Sequence, residues 1–187
     1  MSNLYIGDLV MQKHFLFKIL VGGDGGVGKT TLLRRYVNGK FDESTIMTVG
    51  VDFFVKEISL NFNNSKMKCS LQLWDLGGQK QFRHLMSSYV MGARGALLLI
   101  DLTRLPEIKA VLEWVNIVRM HDIDLPIILV GTKLDLDEFL AIDDETALNI
   151  KDTFNMIEYV KTSSKTGYNV EKVFELMAKK LMKIKNE

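Results

Sequence analysis

Residues 22–31 read GGDGGVGKTT, directly after the apolar run Phe15 to Val21, and hold five of the chain's 14 glycines. The spacing Gly23-x-x-x-x-Gly28-Lys29-Thr30 suits a bound polyphosphate. Glycines allow positive φ angles and let main-chain N–H groups approach phosphate oxygens, and a helix starting at the loop's end offers its positive pole. Asp24, Gly25, Gly26, Val27 and Thr31 are expected to line the anion beside Gly28. Lys29 would reach the β- and γ-phosphates, and the Thr30 hydroxyl would ligate Mg²⁺. The competing reading is a glycine-rich turn with no ligand. The order strand, loop, Lys-Thr and helix weighs against it.

Three further stretches extend this chemistry. GTKLD at 131–135 offers Asp135, whose carboxylate can accept from both N1–H and the 2-amino group of guanine. Adenine has no donor at N1, so the expected ligand is GTP or GDP. Lys133 can lay its stem along the purine, Phe41 can approach it from another side, and Thr132 opens the same loop. TSSK at 162–165 places Ser163, Ser164 and a second lysine stem, Lys165, near O6 of the base. WDLGGQ at 74–79 supplies Asp75 for the Mg²⁺ shell, Gly78 for a backbone N–H to the γ-phosphate, and Gln79 to orient an attacking water. Thr48 would complete the metal shell only while the γ-phosphate is present. Lys29, Thr48 and Gln79 form the expected catalytic set, and Thr30, Thr48 and Asp75 the metal set. Thr48 also reads as a β-branched residue at a strand start, and Gln79 as a solvated residue at a helix start.

Positioning these groups requires strands that end on one edge. Hydrophobic patterning predicts strands at 14–21, 50–60, 67–75, 95–101, 126–131 and 157–161, and helices at 28–38, 79–91, 106–120, 143–154 and 169–184. Val170, Val173, Phe174, Met177 and Leu181 recur at helical spacing, a core stripe. The second and third strands alternate around the polar NFNNSK, as in an antiparallel hairpin. GALLLID and PIILVGT are continuous apolar runs, expected of strands covered on both faces. On the alternating phase of Lys68, Ser70 and Gln72, Trp74 is expected to face outwards. The fold class is therefore α/β: a phosphate-loop domain over 13–187 with a six-stranded, mostly parallel sheet, one antiparallel edge strand and five helices. Residues 1–12 are an N-terminal extension.

Composition narrows the partners. The 187 residues carry 24 Lys plus Arg against 23 Asp plus Glu, so no general attraction to nucleic acid is expected. The single cysteine, Cys69, suits a reducing compartment. No apolar run approaches the length of a membrane span. Neither a secretion signal nor a lipid anchor is expected: Asp8 interrupts the first apolar segment, position 2 is Ser, and the chain ends KIKNE. His14, His84 and His121 lack ligand spacing.

Together these motifs resemble the small GTPases of the Ras superfamily from about Phe15 to Lys183. Thr48 follows Lys29 by nineteen positions and Phe41 by seven, as in that group. TVGVDFF and FRHLMSSYVMGARGALLLIDLT look most like Rab proteins, and FDES, WDLGGQ, DLTR and GTK are also similar to fungal GTPases of septation and mitotic exit. The resemblance implies a GTP-hydrolysing switch with an exchange factor, a GTPase-activating protein and effectors. The effectors would meet the aromatic triad Phe53, Trp74 and Tyr89. It further implies a monomer in the cytoplasm, peripheral to membranes through partners. Four departures stand out. Thr132 replaces the usual Asn, weakening the expected link between base and phosphate loops. Lys80 replaces Glu, Asp24 adds negative charge near the phosphates, and the double-cysteine tail of Rab proteins is absent. Ile46 stands where heterotrimeric α-subunits carry an arginine, which implies slow intrinsic hydrolysis. The alternative is a GTP-holding adaptor that hardly turns over.

Overall fold

A computed structural model describes residues 14–42, 44, 47–62, 65–79 and 86–186. In chain order the elements are β1 (His14–Gly22), α1 (Lys29–Asn38), β2 (Val51–Phe62), β3 (Ser65–Leu76), α2 (Ser87–Val90), β4 (Gly95–Asp101), α3 (Ile108–Val118), β5 (Ile127–Thr132), α4 (Asp144–Thr153), β6 (Glu158–Lys161) and α5 (Val170–Asn186). The sheet runs β2-β3-β1-β4-β5-β6. β2 is antiparallel to β3 and lies at the edge, and the other neighbours are parallel.

The sheet has a core on each face. Phe15, Phe17, Ile19 and Val21 of β1 pack with Leu33 and Tyr36 of α1 and Phe174 and Met177 of α5. On the other face Leu20 packs with Val111, Trp114 and Val118 of α3 and Ala147 and Ile150 of α4. β4 shows why its sequence is uniformly apolar: Leu97 and Leu99 enter the first core, Ala96, Leu98 and Ile100 the second. A strand covered on both faces has no solvent phase to encode.

Parallel pairing brings strand ends together. Val21 lies opposite Asp75, and Asp101 opposite Thr132. Since β1 is flanked by β3 and β4, the loop after β1 opens where chain connections leave the sheet in opposite directions, the usual ligand position in such sheets.

Two local expectations are corrected. The hairpin connection is shorter than NFNNSK, because Asn61, Phe62, Ser65 and Lys66 belong to β2 and β3 and pair with one another. The helix expected from residue 79 is helical, within the described residues, only at Ser87–Val90, and Gln79 is irregular. The Gly77 N–H donates to Gly50 O at 2.8 Å, which ties this stretch to the loop before β2. Residues 80–85, including Lys80 and His84, lie outside the described residues, as do Ile46 and the extension 1–12. Among the described residues no helix is long and apolar enough to cross a membrane.

Candidate functional site

A cleft of about 720 Å³ opens over the start of α1, within the size range of small-molecule sites. Gly25, Gly26, Gly28, Lys29, Thr30 and Thr31 form its floor, Phe41, Thr48 and Gly78 one wall, and Thr132, Lys133, Asp135, Ser164 and Lys165 the other end. Helix α4 satisfies its first turn with Asp143, whose carboxylate accepts from the Thr146 N–H at 2.8 Å. Helix α1 has no such cap: its preceding residue is Gly28 at φ 93°, and its first turn holds no acid. The helix start, with neither a capping side chain nor an acid in its first turn, lies at the floor of the cleft, the arrangement that receives an anion. Lys29 is buried, and its Nζ donates to Gly23 O at 2.7 Å and Asp24 O at 2.9 Å, which holds the cation across the loop.

At one wall the three expected metal ligands meet. The Thr30 hydroxyl donates to Asp75 Oδ2 at 2.5 Å and stands 2.7 Å from the Thr48 hydroxyl, itself 3.4 Å from the same carboxylate oxygen. Asp75 is fully buried and its Oδ1 has no hydrogen-bond partner among the described residues. Burial pushes its carboxyl above the usual range, with the Thr30 hydroxyl and Lys29 opposing. Hard oxygens converging beside a polyphosphate-sized cleft, one of them an unpaired buried carboxylate oxygen, fit Mg²⁺. The same wall is laced to the loop. A Cβ at Gly78 would lie 2.5 Å from Gly25 N, and one at Gly77 would lie 2.7 Å from Gly50 O, so only glycine permits this approach.

At the opposite end Asp135 is half-buried, more open than a sealed base pocket, and its Oδ1 accepts from the Ser163 hydroxyl at 2.6 Å. Ser163 itself is buried beneath the cleft, so it orients Asp135 rather than lining the site. The Leu134 N–H donates to Thr162 O at 3.1 Å, which joins the two loops of this end. Thr132 keeps the link expected to weaken: its hydroxyl reaches Val27 O at 2.7 Å and Ile100 O at 3.0 Å. Val27 is accordingly buried under the loop.

Asp24 is not among the residues lining the cleft. Its Oδ1 accepts from Trp114 Nε1 at 3.0 Å, so the carboxylate is engaged by α3 behind the loop. Asp42, Met47 and Leu136 also line the cleft. None belongs to a motif, and only adjacency to Phe41, Thr48 and Asp135 marked them. Gln79 is half-buried just beyond the Gly77–Gly78 wall and is not among the lining residues.

The aromatic triad assembles outside the cleft. Phe53 meets Trp74 edge-on with centroids 5.2 Å apart, Tyr89 lies 6.1 Å from Trp74, and Lys18 Nζ sits 4.0 Å over the indole. Trp74 does not face outwards freely. It is half-buried, packed against the second core. Ser70, on the same phase, is buried too, and its hydroxyl stands 3.0 Å from His14 Nε2.

Comparison with known proteins agrees with this architecture. The family model described as "Ras family" matches residues 18–183. Rab-1A of Dictyostelium discoideum is 40% identical over 166 residues, 88% of this chain and 80% of that protein. Rab-19 of Xenopus laevis is 38% identical over 169 residues, 90% of this chain and 78% of that protein. Rab-8B of Dictyostelium discoideum is 36% identical over 170 residues, 90% and 81% of the two chains. Ras-family proteins are GTPases that bind GTP and GDP, generally with Mg²⁺, and act with regulators and effectors. The phosphate-loop sheet, its match over most of the chain and these relatives agree: the chain belongs to the Ras family of small GTPases and is Rab-like within it.

Proposed function

We propose that the cleft binds GTP or GDP with Mg²⁺ held by Thr30, Thr48 and Asp75, and that the protein is a slow GTP-hydrolysing switch. The observation that carries this reading is the meeting of three oxygen ligands from α1, the loop before β2 and the end of β3 beside the uncapped start of α1. Lys29 and the loop N–H groups hold the phosphates, Phe41, Lys133, Asp135, Ser164 and Lys165 hold the guanosine, and Gln79 orients water for attack on the γ-phosphorus. As the new P–O bond forms, the bond to the β–γ bridging oxygen breaks, leaving GDP and inorganic phosphate. Bound magnesium would supply neutralisation of charge on the phosphate oxygens. Loss of the γ-phosphate removes the reason for Thr48 and Gly78 to stay at the loop, and their release is the switch.

Residues 13–187 act as one domain with 1–12 as an extension. The Phe53–Trp74–Tyr89 surface takes effectors, and an exchange factor and a GTPase-activating protein engage the segments that carry Thr48 and Gly78. The protein works as a cytoplasmic monomer brought to membranes by partners.

Calorimetric titration with GDP and ADP in Mg²⁺ tests the ligand: guanine selectivity of at least about a hundredfold is expected, and equal binding overturns the reading. Phosphate release tests the enzyme. The wild type is expected to turn over on the order of 10⁻³ per second or below, and Gln79→Leu at least about tenfold more slowly. Release by the two proteins at the same rate would remove Gln79 from the mechanism. GTP retained without release would leave the adaptor.

A further inference from the structure

Among the described residues, two routes join the phosphate loop to the base-facing loop. The first is the Thr132 hydroxyl, which carries one proton for two carbonyls, Val27 O and Ile100 O. An amide at that position would bring two N–H donors, so a hydroxyl is the weaker tie. The second route is ionic. Arg104, in the turn after β4, donates through Nη2 to Gly25 O at 2.8 Å. Its Nε stands 3.4 Å from Asp101 Oδ2, and the same oxygen stands 2.7 Å from Lys133 Nζ. The other oxygen, Oδ1, accepts from the Thr103 N–H at 3.0 Å and the Thr103 hydroxyl at 2.7 Å.

The Asp101 side chain is 3% exposed, whereas Arg104 is 53% exposed. Burial alone would push the Asp101 carboxyl up, but Lys133 and Thr103 outweigh it and hold the group below its ordinary value. A buried anion therefore sits between two cations, Lys133 on the base-facing loop and Arg104 in the turn after β4, which reaches the phosphate loop at Gly25 O. Register explains the placement: Asp101 ends β4 opposite Thr132 at the end of β5, and Lys133 follows with a left-handed backbone, φ 62°. Its ammonium is anchored by Asp101 while its stem lines the cleft.

We infer that Asp101 and Arg104 are positioning residues for guanine-nucleotide retention: the chain Gly25–Arg104–Asp101–Lys133 fixes the phosphate-binding loop relative to the base-binding loop and slows nucleotide release. This rests on the nucleotide reading above. Neither residue touches the ligand in this role. Asp101 orients Lys133, Arg104 orients the Gly25 peptide, and the ionic route works in parallel with the Thr132 hydroxyl. Because Arg104 is half in solvent its share is modest, and because the routes are parallel each conceals part of the other's contribution.

The test is dissociation of a fluorescent methylanthraniloyl-GDP from the full chain in Mg²⁺, chased with unlabelled GDP. Wild type is read first: if it holds no GDP, the nucleotide reading falls and this inference with it. Arg104→Ala is expected to release GDP about fivefold faster with an unchanged association rate. Arg104→Lys should lie between, since one ammonium keeps the charge but cannot span Gly25 O and Asp101 in the same fork. Thr132→Val should also accelerate release, and the double variant should exceed the product of the two single effects. Release from Arg104→Ala within about twofold of wild type, equal effects of Ala and Lys, or purely multiplicative behaviour in the double variant overturns the relay.

Discussion

Asp135 meets the Ser163 hydroxyl through one oxygen, yet a carboxylate offers about four acceptor positions. It can therefore stay oriented by Ser163 and still accept two donors from a guanine edge. Asp135→Asn replaces an acceptor-only group by one that turns a donor towards at least one of those hydrogens. Two hydrogen bonds to a charged group are worth roughly 1.5–3 kcal/mol each, so GDP affinity should fall by at least about a hundredfold. Titration calorimetry reads this directly, and unchanged affinity would show that the base is recognised elsewhere.

Helix α1 carries the phosphate loop, so whatever seats α1 seats the site. Tyr36 of α1 stacks on Phe174 of α5 with centroids 3.8 Å apart and an interplanar angle of 11°. Phe174 is fully buried within the stripe Val170, Val173, Met177 and Leu181. Phe174→Ala should cost about 3–5 kcal/mol in denaturant unfolding, because it opens a cavity between the two helices. Tyr36→Phe should do the opposite. The Tyr36 hydroxyl is buried with no hydrogen-bond partner among the described residues, so removing it leaves the stack and relieves desolvation. Stability equal to wild type or higher by about 1 kcal/mol is expected, and a clear loss would reveal a bound water or partner at that oxygen.

For the whole molecule, alkaline pH weakens the fold. Burial pushes the Cys69 thiol from 9.0 up to about 12. The phenols of Tyr36 and Tyr159 are likewise raised, first by burial and then by neighbouring carboxylates. Each group is neutral in the fold and ionises more readily in the unfolded chain. Their contribution is intact below the unfolded values and is lost as pH climbs towards the folded ones. Denaturant midpoints should thus hold steady from neutral pH to about 8.5 and fall progressively above about 9. Below that range Cys69 should resist a disulfide reagent in the native state and react once when unfolded. A midpoint independent of pH up to about 11 would contradict this account.

Much of the architecture was legible because it is written locally. The glycine spacing before Lys29, the period-two pattern of β2 and β3, the solid apolar β4 and β5 and the stripe of α5 are each properties of a short window. The same holds for the residue types at Thr30, Asp75 and Asp135, whose chemistry is fixed by their functional groups. What needed the tertiary structure involves partners far apart in the chain. Trp114 reaches Asp24 across 90 positions and Arg104 reaches Gly25 across 79. No window contains both ends of such a bond. Only strand order and register bring them together, just as only packing against the second core made Trp74 half-buried. Sequence determined which groups exist and which strand ends carry them. The packing of α3 and the alignment of β4 with β5 decided which of them hold the phosphate loop from behind, because hydrogen bonds and ion pairs depend on ångström distances that local periodicity does not encode.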